Sequence, residues 1–263
     1  MSASNSDLIN RLGDELHTAM AERRPLVPIT DREQDLTIAD AYRIQARMIS
    51  HRIAAGERIV GKKVGATSRA VQQMLSVDQP DFGYLLSGMV YAEGEAVPMA
   101  SLIQPLAEGE IAFFLRHDLP DSNVRPSDVL RATECVMPCF EIVDSRIKDW
   151  KLRIQDTVAD NASCGAFVLG DRAIDPRKVD LRLTGMVIEK NGELACTGVG
   201  AAALGHPLNA VAWLANTMGA LGSPLRAGDL VLSGALASMI KVKEGDSLRL
   251  SLGGIGQCTV RFS

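Results

Sequence analysis

The chain has 263 residues, 46% of them hydrophobic and 23% charged, and a net charge of −4. That length suits one large domain or a small one beside a main one, and the mildly acidic balance argues against a nucleic-acid surface. No run of about 18 apolar residues occurs, so no membrane span is expected. The opening MSASNSDLIN is polar and has no signal-peptide core, so the expected location is cytoplasmic.

In residues 5–24, Leu8, Ile9, Leu12, Leu16, Ala19 and Met20 recur at helical spacing, which predicts an amphipathic helix ended by Pro25 and Pro28. A second helix is expected from Thr37, which with Asp40 has the spacing of a capping box. Ala41, Ile44, Gln45, Met48 and Ile49 continue its face, and Gly56 is a suitable stop. Residues 1–58 are therefore expected to form an N-terminal helical segment and residues 59–263 a β-rich main domain.

From residue 59 the texture changes. RIVGKKVGATS reads as a strand and a glycine-containing loop, RAVQQML as a short helix, VDQPDFGYL as a loop and GMVYAEGEAVPM as a hairpin. IAFFLRHDL and CVMPCFEIVDSRI read as strands. Residues 181–199 read as two strands joined at Asn191-Gly192, a strong two-residue hairpin signal. HPLNAVAWLANTMGALG is a clear helix, with Pro207 in its first turn and Gly222 past its end. The tail reads as short strands joined by Gly-Asp turns. The fold class is α+β, helices first and then a β-rich body.

The stretch EGEIAFFL places Glu108 and Glu110 at the mouth of an apolar run. On a strand, residues two apart share a face, so two like charges would lie side by side near a core. Glu141 sits inside another apolar run. A charge of opposite sign is needed there, and three carboxylates suit a hard divalent cation such as Mg²⁺ or Mn²⁺ as well as they suit edge charges paired with nearby bases.

Three further segments stand out. GKKVGATS offers Lys62 and Lys63 after a strand, either as a ligand-facing ammonium or as a solvated pair; its spacing is not that of a Walker A loop. VADNASCGAFVLG crowds Asp160, Asn161 and Ser163 beside an apolar run, as a polar pocket or an Asx-rich turn does. VLSGAL ends a strand in Ser233-Gly234, where backbone N–H groups can meet a carboxylate. The five cysteines, odd in number and without CxxC, read as free thiols; Cys164, in a polar segment, is the candidate for a reactive one.

The blocks AAGERIVGKKVGATS, QPDFGYL, LIQPLAEGEIAFFL, PCFEIVDSRIKDWK, DTVADNASCG and GAAALGHPLNAVAWLAN, in this order, make the chain resemble the fumarylacetoacetate hydrolase superfamily. Within it the chain looks like the 2-oxopent-4-enoate (2-hydroxypenta-2,4-dienoate) hydratases of aromatic meta-cleavage catabolism. The resemblance covers nearly the whole chain. It implies a body of mixed β-sheets rolled into a distorted sandwich, with outer helices and a small N-terminal part. It implies a metal triad of Glu108, Glu110 and Glu141 holding Mg²⁺ or Mn²⁺, and it places the family lysine at Lys63.

The 4-oxalocrotonate decarboxylases resemble the chain too, but tend to an apolar residue where this chain has Asp81. The implied reaction is therefore hydration of the dienoate to 4-hydroxy-2-oxopentanoate. The alternatives are the decarboxylase itself or a non-catalytic partner of it. Lys63, with a pKa expected to be depressed by a nearby cation, and Asp81 are the acid/base candidates. Asn161, Ser163, Ser233 and Gly234 are the substrate-binding candidates. A homo-oligomer is expected, with a possible complex with the decarboxylase.

Overall fold

The structure, a computed structural model, describes residues 3–120 and 122–263. The first periodic run folds as α1 (Ala3–Glu22), followed by a single turn, α2 (Ile29–Arg32), and by α3 (Ile38–Ala54). At the start of α3 the Thr37 hydroxyl accepts from the Asp40 N–H at 3.1 Å and Asp40 accepts from the Thr37 N–H at 3.4 Å, the reciprocal capping that their spacing predicts.

The next elements are β1 (Ile59–Gly65), α4 (Arg69–Leu75), β2 (Asp81–Leu86), β3 (Val90–Tyr91), β4 (Ala96–Val97) and β5 (Pro105–Leu115). Then come α5 (Pro126–Ala132), β6 (Thr133–Asp144), α6 (Ile154–Ala159), β7 (Cys164–Leu169), β8 (Gly185–Lys190) and β9 (Glu193–Val199). The chain closes with α7 (Pro207–Ala220), β10 (Leu230–Leu232), β11 (Ile240–Lys241), β12 (Ser247–Leu252) and β13 (Gly256–Phe262).

The strands form two sheets. One has eight strands in the order β2-β1-β10-β5-β6-β7-β3, with β11 also paired to β5; the other has the order β4-β13-β12-β8-β9. Pairing is mostly antiparallel, with parallel contacts at β1/β10, β3/β7 and β4/β13. This is the expected mixed-sheet sandwich.

Two readings change. VDQPDFGYL is not all loop: from Asp81 onward it is β2, paired along β1 from Gly65↔Asp81 to Ile59↔Leu86. The free edge of β1 supplies partners that a sequence window cannot see. GMVYAEGEAVPM is not a hairpin: β3 joins β7 in the large sheet and β4 joins β13 in the small one. The turn at Gly94 (φ +81°) passes the chain between sheets instead of folding it back on itself.

The two faces of β5 explain the architecture. Ala107, Ile111 and Phe113 point into the main core, together with Val136, Phe140 and Ile142 of β6 and the buried side of α7. Gly109 lies on that face, where a Cβ would come within 2.7 Å of the Met186 sulfur and 2.9 Å of Ile188, so its bareness lets the second sheet close down. Glu108, Glu110 and Ala112 take the opposite face. That side is covered through a second apolar cluster, in which Leu106, Val143 and Val158 meet Leu12, Leu16, Ile44 and Met48 from α1 and α3.

A buried ion pair ties α6 to the end of β6. Arg146 and Asp160, 1% and 0% exposed, are bonded through the guanidinium Nε. Asp160 also accepts from the Ser145 hydroxyl at 3.0 Å, the Arg146 N–H at 3.0 Å and the Ser163 hydroxyl at 3.1 Å. Asp160→Asn leaves a guanidinium without its counter-charge, so we expect a stability loss of about 3–5 kcal/mol. Denaturant titration of the variant against the parent measures it.

Candidate active site

The register of β5 with β6 sets Glu108 directly opposite Glu141 and Glu110 opposite Cys139. Opposite residues in an antiparallel pair share a face, so Glu108, Glu110 and Glu141 converge on one side of the sheet. One oxygen from each lies within 4.8 Å of the others, and all three residues are 5% exposed or less. Glu110 Oε2 accepts from the Gly234 N–H at 2.6 Å. Glu110 Oε1 and both oxygens of Glu141 are buried and have no hydrogen-bond partner. Buried carboxylate oxygens left bare and pointed at one another fit a hard cation with open coordination positions.

Three anions this close resist ionisation. Burial, and then the charge of Glu141, push the Glu108 carboxyl up to about 8. Burial, and then Glu141 and Glu108, push Glu110 well above the usual carboxylate range.

Lys63 supplies part of the opposing charge. Its ammonium lies 3.2 Å from Glu141 Oε1, an ion pair without hydrogen-bond geometry. Burial acts to lower its pKa, but Glu141, Asp81 and Glu108 outweigh burial and the net shift is upward. Without a cation at the glutamates the shift runs opposite to the depression expected beside one: surrounded by acids, Lys63 is held charged. Lys62, on the opposite face of β1, pairs with Asp229 at 2.7 Å, so neither lysine belongs to a solvated pair.

Asp81 opens β2 beside Gly65 and is 2% exposed. A side chain at Gly65 would collide with the Asp81 carboxylate and approach Lys63 Nζ to 3.1 Å, so the glycine makes the space where the two meet. Asp81 Oδ2 accepts from the Thr157 hydroxyl at 2.9 Å. Burial raises the Asp81 pKa, and Lys63 and Thr157 offset only part of the rise. Thr157 escaped the sequence reading, because nothing in DTVADNAS marks it apart from its neighbours.

The other candidates divide. Ser163 lines a cavity together with Lys63, Asp81, Glu108 and Thr157; Asn161, Ser233 and Gly234 do not. The Asn161 side chain is engaged with the Tyr84 backbone, accepting from its N–H at 2.7 Å and donating to its carbonyl at 2.9 Å. Ser233 is fully buried and its hydroxyl has no partner. The carboxylate that Gly234 meets is Glu110. Cys164 is 1% exposed, with its thiol pushed well up by burial, which suits the inert reading.

The cavity is rimmed by strained backbone. Ala66, Trp150, Ala162 and Ser163 all line it, and all are left-handed, with φ of 51°, 55°, 49° and 53°. Each such residue costs on the order of 1–3 kcal/mol, and strain of this kind gathers where a site demands it.

A family model, fumarylacetoacetate (FAA) hydrolase C-terminal, matches residues 53–263. The chain belongs to the fumarylacetoacetate hydrolase family. It is 63% identical to a 2-hydroxypent-2,4-dienoate hydratase of Pseudomonas putida over 82% of this chain and 97% of that protein. It is 51% identical to a 2-hydroxyhexa-2,4-dienoate hydratase of Comamonas testosteroni over 99% of both chains. The solved 4-oxalocrotonate decarboxylase from Pseudomonas putida G7, complexed with magnesium and adipate, superposes with a TM-score of 0.94 at 34% identity over 98% of each chain. The fold of this fumarylacetoacetate hydrolase family member is thus shared across both reaction types, and the chemistry has to be argued from the site.

Two outcomes are expected from the carboxylate cluster. Glu110→Gln removes one of three crowded carboxyls and can keep the Gly234 hydrogen bond. The metal-free variant should therefore melt no lower than the parent, while calorimetry with Mg²⁺ or Mn²⁺ shows binding weakened by orders of magnitude. The second outcome concerns pH. Folded Glu108 keeps its proton up to about 8, whereas the unfolded chain releases it near 4.5. Between those values the folded state binds more protons, so the metal-free protein should lose stability as pH rises through that window. Metal affinity should rise across the same window, because a cation displaces those protons. Melting and calorimetric titrations across the window check both signs.

Proposed function

We propose that this protein is a hydro-lyase that converts 2-hydroxypenta-2,4-dienoate to 4-hydroxy-2-oxopentanoate, using Mg²⁺ or Mn²⁺ held by Glu108, Glu110 and Glu141. The observation that carries the reading is the convergence of three buried carboxylates, with bare oxygens, beside Lys63, Asp81 and a cavity. The dienoate hydratases among its relatives support the substrate class.

When bound, the cation supplies Lewis-acid charge for the substrate's 2-oxygen and carboxylate. Lys63, kept charged by its anionic neighbours, holds substrate oxygen and steadies negative charge that develops there. Overall the 2-hydroxyl loses a proton, C5 gains one, water adds its oxygen at C4, and C3 takes the last proton. Asp81 is the group that moves protons: ionised, it accepts one from the water that adds at C4, and its raised pKa lets it return a proton to carbon. Thr157 holds the Asp81 carboxylate in place for this work. Decarboxylation needs an electron sink but no group to activate water, so a buried Asp at this point favours hydration.

The reading includes a cytoplasmic homo-oligomer that can associate with a 4-oxalocrotonate decarboxylase. Exposed Leu183, Val187, Leu194 and Val199 along and beside the β8–β9 hairpin give it apolar surface for association.

The test follows loss of the dienoate's absorbance with purified protein plus Mg²⁺ or Mn²⁺, and CO₂ release from 4-oxalocrotonate. The parent should consume the dienoate and release little CO₂. Lys63→Ala and Asp81→Asn should each lower hydration about 10²–10⁴-fold, with Lys62→Ala close to the parent. Brisk CO₂ release by the parent would move the assignment to a decarboxylase. Unchanged hydration in Asp81→Asn would remove Asp81 from the chemistry.

A further inference from the structure

The buried face of α3 consists of Ala41, Ile44, Gln45, Met48 and Ile49, and Gln45 breaks its apolar character. Gln45 is 1% exposed, and a polar group so buried has to find partners. Its carboxamide donates to the Phe82 carbonyl at 2.8 Å and to the Val158 carbonyl at 3.0 Å. Two carbonyl acceptors fix the orientation of the amide, because only its nitrogen can donate.

The position of the two acceptors gives these bonds their meaning. Phe82 follows Asp81 on β2, and Val158 follows Thr157 on α6. The Thr157 hydroxyl donates to Asp81 Oδ2 at 2.9 Å. Gln45 thus joins the two backbones one residue beyond the point where their side chains meet. The last carbonyls of a helix find no partner within it, so at α6 Gln45 also satisfies one of these. Tyr42, one turn earlier on α3, reinforces the contact: its ring stacks on Phe82 with centroids 4.4 Å apart and planes 13° from parallel. Farther along β2, Asn161 binds both the N–H and the carbonyl of Tyr84. Without Gln45, β2 therefore stays attached to the turn after α6. What Gln45 adds is a fixed spacing at the Asp81 end.

We infer that Gln45 is a positioning residue for the reaction: from the N-terminal helical segment it holds Asp81 and Thr157 at the separation that proton transfer needs. The inference rests on the proposed role of Asp81. Gln45 does not line the cavity beside the carboxylates, so it acts through Asp81 and not on the substrate. Proton transfer demands hydrogen-bond reach between the reacting groups, and a displacement of about 1 Å costs on the order of 10²-fold in rate. The glutamates stand on β5 and β6, outside this linkage, so metal and substrate binding do not depend on it.

Two variants grade the effect. Gln45→Met keeps the length of the side chain and removes both donors. Gln45→Glu keeps the shape; buried against two carbonyls it holds its proton and can restore one bond. With Mg²⁺ and the dienoate, kcat should fall about 10–100-fold in Gln45→Met and less in Gln45→Glu. KM and the calorimetric Mg²⁺ affinity should stay close to the parent's in both. In an Asp81→Asn background, Gln45→Met should cost no further activity, because it acts through that carboxylate.

A partial reaction separates this inference from the hydratase reading. In D₂O with Mg²⁺, the C3–H bond of 2-oxopentanoate breaks, its electron pair enters the enolate, and a C3–D bond forms from solvent. NMR follows this exchange, which needs proton transfer at carbon and no diene. Its rate should fall in the same order: parent, Gln45→Glu, Gln45→Met. That order in a parent that hydrates no dienoate would sink the hydratase reading and leave the role of Gln45 standing. Parent-like kcat in Gln45→Met, equal losses in the two variants, or a full further loss in the Asp81→Asn background overturns the inference. A raised KM with unchanged kcat does so too. If Gln45→Met does not fold, Gln45→Glu with and without Asp81→Asn carries the same test. A parent that neither hydrates nor exchanges overturns both readings.

Discussion

Three carboxylates held together inside a protein are the constraint on which the rest of this structure turns. The β5–β6 register forces Glu108 and Glu141 opposite each other, and strand periodicity adds Glu110. Like charges in a desolvated space repel, and burial first and that repulsion second push the Glu108 and Glu110 carboxyls upward. The surroundings answer it piece by piece: the Lys63 ammonium beside Glu141, the Gly234 N–H on Glu110, and bare oxygens suited to a cation.

Those answers dictate unusual local backbone. Gly65 has no side chain because Asp81 and Lys63 occupy the space that one would take. Gly234 turns with φ +93°, and a side chain there would strike Thr67. Asn161, Ala162 and Ser163 are left-handed in succession, and Asn161 clamps Tyr84 of β2 from inside that turn. A site this strained stands only on a well-packed base. Here the base is the sandwich core on one side and the α1–α3 cluster on the other. The Arg146–Asp160 pair anchors the left-handed turn from behind. Asp160 thus serves the site by holding its frame, although it does not line the cavity beside the carboxylates.

The face that carries the glutamates also carries the apolar row of Leu106 and Val143. Polar chemistry and an apolar wall are therefore neighbours on one strand pair, separated by one step of the pleat. The helical segment α1–α3 closes over the same face, so the N-terminal part of the chain belongs to the packing that shields the site from water.

Much of this was legible in the sequence, because it is encoded locally. The capping box at Thr37, the hairpin at Asn191-Gly192 and the E-x-E on one strand face depend on residues a few positions apart, and short-range geometry is all they need. The chain by itself also called for a positive charge near Glu108 and Glu110, since two like charges at the mouth of an apolar run repel. Other features were decided only by tertiary contact. β2 became a strand because β1 offered an open edge. β3 and β4 parted because each found a partner in a different sheet. Lys63 in the metal-free protein is raised in pKa because three acids distant in sequence surround it. Thr157 meets Asp81, and Trp150 the cavity wall, because folding carried them there. Pairing partners, electric fields and cavity walls are built from residues far apart along the chain, and only the folded structure brings them within reach of one another.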